Sequence, residues 1–174
     1  MTILTGTQIK DQGIVTELID PSKQVQPCGI DLTVARIEMY KGRGTIDFDN
    51  SKRLLPRLEE AGKIRQNWQK IDKATENWQL SPGCYLITFN EVVSVPSDCM
   101  GIARPRSSLL RMGVTMETSV WDPGYKGRSQ CMLVVHNTSG IQIFPNAKLL
   151  QIVFLKLNKE AEKLYSGIYQ KEGL

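Results

Sequence analysis

Apolar and polar positions change rhythm several times along this chain, and each change predicts an element. Between residues 7 and 18, Ile9, Ile14 and Leu18 stand among polar neighbours at loosely helical spacing, and Asp20-Pro21 closes the run. A short N-terminal helix is expected there. From 29 to 40, Ile30, Leu32, Val34, Ile37 and Met39 nearly alternate with polar residues, the period of a half-buried strand. Gly42 and Gly44 then mark a turn.

Residues 51–77 have another texture, rich in Lys, Arg, Glu and Gln and without strand periodicity. This polar insertion is expected to leave the main body as a lid, a subunit arm or a plain surface excursion. Leu54, Leu55, Leu58 and Ile64 predict a small amphipathic helix interrupted by Pro56 and Gly62, with Trp68 and Trp78 as anchors. Beyond Pro82-Gly83 come short β runs at 84–89, 92–95, 113–120, 131–136, 141–144 and 149–157. The breaks between them, such as Pro96-Ser97-Asp98, Asp122-Pro123-Gly124 and Pro145-Asn146, are turn formers. Many short strands with regular turns predict an all-β sandwich, jelly roll or barrel. A tail over about 158–174 opens on a charged, helix-like stretch, Lys159 to Lys163, and ends among Gly and Tyr.

Composition narrows this picture. With 174 residues and 41% hydrophobic positions, the chain has material for one core and one domain, 1–174. The opening residues MTILTGTQIKDQG become polar before any apolar run, and no stretch approaches the roughly 20 apolar residues of a bilayer span. A cytoplasmic protein with no membrane partner is expected. A net charge of +4 suits an anionic ligand, while basic residues spread along the chain with few interleaved aromatics argue against a nucleic-acid groove. Cys28, Cys84, Cys99 and Cys131 lack CxxC spacing and are expected as buried free thiols. The single histidine, His136, excludes a multi-histidine metal centre.

Two segments carry candidate chemistry. Arg104-Pro105-Arg106-Ser107-Ser108-Leu109-Leu110-Arg111 is the densest group of phosphate-type ligands, because guanidinium forks bind phosphate oxygens bidentately and hydroxyls add neutral donors. Surface arginines beside serines are also common without a ligand. The turn Trp121-Asp122-Pro123-Gly124-Tyr125-Lys126-Gly127 offers a carboxylate that can take a proton from water, or one that merely satisfies its own backbone. Tyr125 either stacks on a sugar or covers core.

Taken together, these segments resemble the family of trimeric dUTPases and dCTP deaminases, on its archaeal-like dUTPase side. Pro27-Cys28-Gly29-Ile30-Asp31-Leu32 is similar to the family's first motif, and Arg106-Ser107-Ser108-Leu109 with Arg111 to its phosphate-binding motif. Asp122-Pro123-Gly124-Tyr125-Lys126-Gly127 resembles its nucleoside hairpin. Phe144-Pro145-Asn146-Ala147-Lys148 with Gln151-Ile152-Val153-Phe154 resembles the fourth motif, and Tyr165-Ser166-Gly167-Ile168-Tyr169-Gln170 the closing tail. The insertion at 51–77 lies outside the resemblance.

The resemblance implies a distorted jelly-roll β fold assembled as a homotrimer with active sites at subunit boundaries. It implies hydrolysis of dUTP to dUMP and diphosphate, with Asp122 activating water for attack on the α-phosphorus. Arg106, Ser107, Ser108, Arg111 and Gln151 would contact phosphates, and Mg²⁺ is expected on the triphosphate. Tyr125 would pack on deoxyribose, and the hairpin around Glu117 and Thr118 would meet the base. Closure over the phosphates would fall to Tyr165, Gln170 or Lys171.

The branches of the family differ by one carboxylate. Deamination of cytosine needs a group that shuttles protons at ring C4, which the deaminases place on the strand after the hairpin. The equivalent positions here are Val134 or Met132, neither of which transfers a proton, and Cys131 to Val135 holds no carboxylate. Glu117 is the one neighbour that could replace it. The alternatives to a dUTP diphosphatase are therefore a dCTP deaminase, a bifunctional enzyme, or a non-catalytic nucleotide-binding module.

Overall fold

The computed structural model describes residues 2–68 and 71–174, with the backbone alone for 65–68 and 71–75. In chain order the elements are β1 (Thr2–Ile3), α1 (Gly6–Asp11), β2 (Val15–Thr16), α2 (Pro21–Gln24), β3 (Val25–Gln26) and β4 (Gly29–Lys41). Next come β5 (Arg57–Glu60), β6 (Ile64–Trp68), β7 (Ile71–Leu80), β8 (Gly83–Phe89), β9 (Val92–Ser94) and β10 (Cys99–Pro105). The rest are α3 (Ser107–Arg111), β11 (Val114–Glu117), β12 (Lys126–Gly127), β13 (Gln130–Val135), β14 (Ile141–Ile143) and β15 (Lys148–Lys156).

Among the described residues all strand pairs are antiparallel, as a curled all-β fold requires. The largest sheet runs β1-β15-β4-β8-β13-β11, with β10 beside β15 and both β3 and β5 beside β4. Two small sheets, β12-β9-β2 and β14-β7-β6, accompany it. The long strand β4 makes the curl. Its first half pairs with β15, then the register shifts between Val34 and Arg36 and its second half pairs with β8. Ile30, Leu32, Val34 and Ile37 on this strand are fully buried, and Ile87, Phe89, Leu133, Ile152 and Phe154 meet them in one core.

At the corner where β4 changes partner sits a buried carboxylate, Glu91. Its Oε1 accepts from Gln24 Nε2 at 2.6 Å and Thr33 Oγ1 at 2.5 Å, and its Oε2 from Thr33 N–H at 2.9 Å. Burial pushes its pKa up, and the Thr33 and Gln24 bonds oppose that shift.

The N-terminal helix is shorter than the apolar spacing suggests. Thr5 and Gln8 form a reciprocal capping box, and Gly13 at φ +66° breaks the run before β2. The insertion differs more. No helix forms among its described residues: β5 pairs with β4 in the register Tyr40↔Leu58 and Glu38↔Glu60, and β6 and β7 form a ladder of their own. Every residue of β5 is exposed, so it carries charge on both faces and shows no alternation. Pro56 and Gly62 therefore flank a strand instead of interrupting a helix. Trp78 is the anchor expected, buried with its Nε1 donating to Ala61 O at 3.0 Å. The side chain of Trp68 lies outside the described residues.

The helix-like stretch at 159–163 is also irregular; five residues cannot repay helix nucleation, and Ala161 N–H instead bonds Ser97 O at 2.9 Å. All four cysteines are free thiols, but only Cys99 and Cys131 are buried, because Cys28 and Cys84 lie at exposed turn and strand-start positions. His136 is exposed just past β13. No helix among the described residues is long and apolar enough to cross a membrane.

Candidate active site

The turn after β11 is held from three directions. Gly101 and Trp121 exchange backbone hydrogen bonds at 2.9 and 3.0 Å, Tyr125 N–H closes on Asp122 O at 3.1 Å, and Gly124 N–H reaches Val95 O at 2.9 Å. Pro123 followed by Gly124 at φ +85° is the residue pattern of a type II turn, which only a residue tolerant of positive φ completes without strain. Asp122 thus stands exposed at a fixed first position of that turn.

Beside it opens a cavity of about 520 Å³. Trp121, Tyr125, Ser129 and Gln130 supply its floor, Tyr40, Leu55, Pro56 and Leu58 an apolar wall, and Tyr165, Tyr169 and Glu172 a wall from the tail. The floor carries polar side chains in hydrogen-bonded pairs. Trp121 Nε1 donates to Ser129 Oγ at 2.6 Å, Gln130 Nε2 to Thr88 Oγ1 at 3.0 Å, and Tyr125 OH to Glu172 Oε1 at 2.7 Å. Burial, reinforced by the neighbouring Glu172, raises the Tyr125 phenol and keeps it a neutral donor. Burial likewise raises Glu172, with the phenol's hydrogen bond pulling the other way.

The tail closes on its own hairpin. Tyr165 N–H bonds Pro123 O at 2.8 Å and its ring meets Tyr125 edge-on at 5.7 Å. Gln170 bridges the turn, donating to Gly124 O at 2.8 Å and accepting from Lys126 N–H at 2.8 Å, while Lys171 N–H reaches Lys126 O at 2.7 Å. All three expected closure residues therefore dock on the 123–126 stretch of the hairpin, two of them through backbone N–H groups. Tyr125 is covered more than a ring awaiting a sugar would be, at 6% exposure, because Glu172 and Tyr165 pack on it.

The phosphate-type residues form a second group. Arg106 precedes α3, Ser107 and Ser108 are exposed on its first turn, and Arg111 turns back to donate to Ser107 O at 3.1 Å. Gln151 lies on β15 between Arg104 of β10 and Asp31 of β4. None of these five expected ligands lines the cavity beside Asp122 in the same chain. Glu117 ends β11 directly opposite Met132. Glu117 and Thr118 fall just short of the cavity, whose rim begins at Ser119 and Val120.

Several residues of these two groups escape sequence reasoning. Glu172 and Gln130 enter the cavity through tail docking and strand register, which no local pattern reports. Asp31 had a visible signal, a lone acid inside an apolar strand, and it is 1% exposed.

Comparison with known proteins shows the family. Residues 3–157 match the family model described as dCTP deaminase-like. A protein of Methanosarcina barkeri named "Probable deoxyuridine 5′-triphosphate nucleotidohydrolase" is 40% identical over 178 residues, covering 99% of this chain and 98% of its own. One of Methanococcoides burtonii with the same name is 41% identical over the whole of both chains. The "Deoxyuridine 5′-triphosphate nucleotidohydrolase" of Methanocaldococcus jannaschii is 38% identical over 148 residues, 85% of this chain and 88% of that one. Among solved structures, the 2′-deoxycytidine 5′-triphosphate deaminase of Agrobacterium tumefaciens superposes with a TM-score of 0.62 at 19% identity, over 87% of this chain. This chain spans 48% of that protein's length, and the likeness is one of fold.

Proposed function

The chain belongs to the dCTP deaminase-like family, and from that premise we propose that it is a dUTP diphosphatase, releasing dUMP and diphosphate. The relatives similar over its whole length carry the name of that activity. The observation that carries the choice is Asp122 exposed on a braced turn at the cavity, while β13, from Gln130 to Val135, holds no carboxylate.

In this reading Asp122 takes a proton from water as the oxygen attacks the α-phosphorus, and the bond to the α–β bridging oxygen breaks to release diphosphate. General base catalysis contributes about 10²–10⁴-fold, so the larger share of the acceleration falls to positioning and to charge around the phosphates. Tyr125 underlies the deoxyribose, with the 117–120 segment near the base. Arg106, Ser107, Ser108, Arg111 and Gln151 hold phosphates. Since they do not line the cavity of their own Asp122, the complete site takes them from a neighbouring copy, and the resemblance to trimeric dUTPases makes that assembly a homotrimer.

Among the described residues no group of three or more His, Cys, Asp or Glu is placed to hold a metal ion. In this reading Mg²⁺ would be carried on the substrate's phosphate oxygens, where it would neutralise charge and polarise the attacked group.

The test offers dUTP, dCTP, dTTP and UTP separately with Mg²⁺ and measures diphosphate and ammonia. Diphosphate from dUTP and no ammonia from dCTP is the expected result. Ammonia from dCTP would move the assignment to deamination, with Glu117 opposite Met132 as its proton shuttle. Tight dUTP binding without product would make the chain a nucleotide-binding module.

A further inference from the structure

Asp31 is buried within β4, yet its Oδ2 lies 3.3 Å from Arg106 Nε and 3.2 Å from Lys148 Nζ. Both contacts are ion pairs without aligned hydrogen bonds, since Oδ2 has no hydrogen-bond donor. Taking a carboxylate out of water is costly, and opposing charge is what offsets that cost. Here two cations converge on one carboxylate. The trio is left with a net positive charge, and it faces outward: the side chains of Arg106 and Lys148 are 35% and 25% exposed, against 2% for Asp31.

The local geometry gives that surplus charge a direction. Arg106 spends Nε on Asp31, so its terminal Nη groups, the pair that matches a phosphate bidentately, are not engaged by the carboxylate. Lys148 Nζ donates to Lys23 O at 2.7 Å and leans on Asp31 without an aligned bond, which holds the ammonium while leaving two of its three N–H groups. Directly cross-strand, Asp31, Gln151 and Arg104 stand in a row on one face of β4, β15 and β10. Asp31 thus has cationic or amide side chains around it, all with access to the surface.

We propose that Asp31 is a positioning residue that sets Arg106 and Lys148 as a two-cation seat for the substrate's triphosphate, acting on the substrate only through them. This rests on the triphosphate-hydrolase reading above and adds Lys148 to its phosphate ligands. A purely structural Asp31 would hold the fold but leave phosphate affinity indifferent to Lys148 and to the Asp31–Arg106 coupling.

The experiment separates the seat from the activity by using inorganic tripolyphosphate as the probe in calorimetric binding, alongside dUTP turnover. Lys148→Gln is expected to weaken tripolyphosphate binding roughly tenfold and to raise KM for dUTP more than it lowers kcat. Asp31→Asn is expected to do the same, and Asp31→Asn with Arg106→Gln to lose less than the sum of the two single losses, since part of the effect of Asp31 runs through Arg106 and the rest through Lys148. Unchanged tripolyphosphate affinity in Lys148→Gln, which leaves the buried carboxylate in place, would overturn the proposal. So would fully additive losses in the double variant. If the unsubstituted chain binds tripolyphosphate with this dependence yet cleaves no dUTP, the seat stands and the assigned reaction fails.

Discussion

The Tyr125 hydroxyl donates to the Glu172 carboxylate at 2.7 Å, which pins the end of the chain to the turn that presents Asp122. This turn and the tail therefore form one unit, and the charge state of Glu172 bears on whether the tail stays docked.

The sign follows from burial. Docking holds Glu172 above its ordinary value of 4.5, burial being the main cause and the Tyr125 hydrogen bond a partial counterweight. A group with a higher pKa when docked binds its proton more tightly there, so its contribution to docking is complete below 4.5 and is lost as pH rises through the docked value. Hydrogen exchange of amides 165–173 should accelerate, beyond the intrinsic pH effect, from pH 4 to pH 7. Glu172→Gln keeps an acceptor for Tyr125 and should flatten that dependence; the same excess in both proteins would contradict the assignment.

A second carboxylate tests the fold. Glu91 accepts three hydrogen bonds at the corner where β4 changes partner, and Glu91→Gln would turn an N–H₂ toward donors from Thr33 or Gln24. Leaving buried donors unmatched costs about 1–3 kcal/mol. Urea denaturation should show a loss of that size with an unchanged m-value, whereas a variant as stable as the parent would mean that the corner is held by packing alone.

Metal dependence is the third expectation. With no chelating cluster among the described residues, removing divalent ions with EDTA should abolish dUTP cleavage without unfolding the protein, and added Mg²⁺ should restore it. Full cleavage in EDTA would remove Mg²⁺ from the account, and thermal unfolding that shifts with EDTA would point to a protein-held ion instead.

The parts of this architecture that pattern could reveal are those in which the apolar residues share one face. Alternation in β4, β13 and β15 follows directly from Ile30 and Leu32, Leu133 and Val135, and Ile152 and Phe154 pointing to the core. The excursion was illegible for the opposite reason: β5 is exposed on both faces, so its pairing with β4 leaves no hydrophobic period. β10 was hidden as well, since Gly101 and Pro105 weaken strand propensity that seven paired residues of β15 override. At the site, Asp122 and the arginine–serine segment were visible as ordered motifs. Glu172, Gln130 and the Asp31–Lys148 pair depend on contacts between segments far apart in the chain or on strand register, and these exist only once the sheet has curled.

The most direct trial of the central claim is dUTP cleavage in ¹⁸O-labelled water by the parent chain and by Asp122→Asn, with Mg²⁺ present. The account predicts label in dUMP, because water attacks the α-phosphorus, and a fall in turnover of at least about 100-fold in the variant. Label in diphosphate instead, or near-parental turnover without the Asp122 carboxylate, would contradict it.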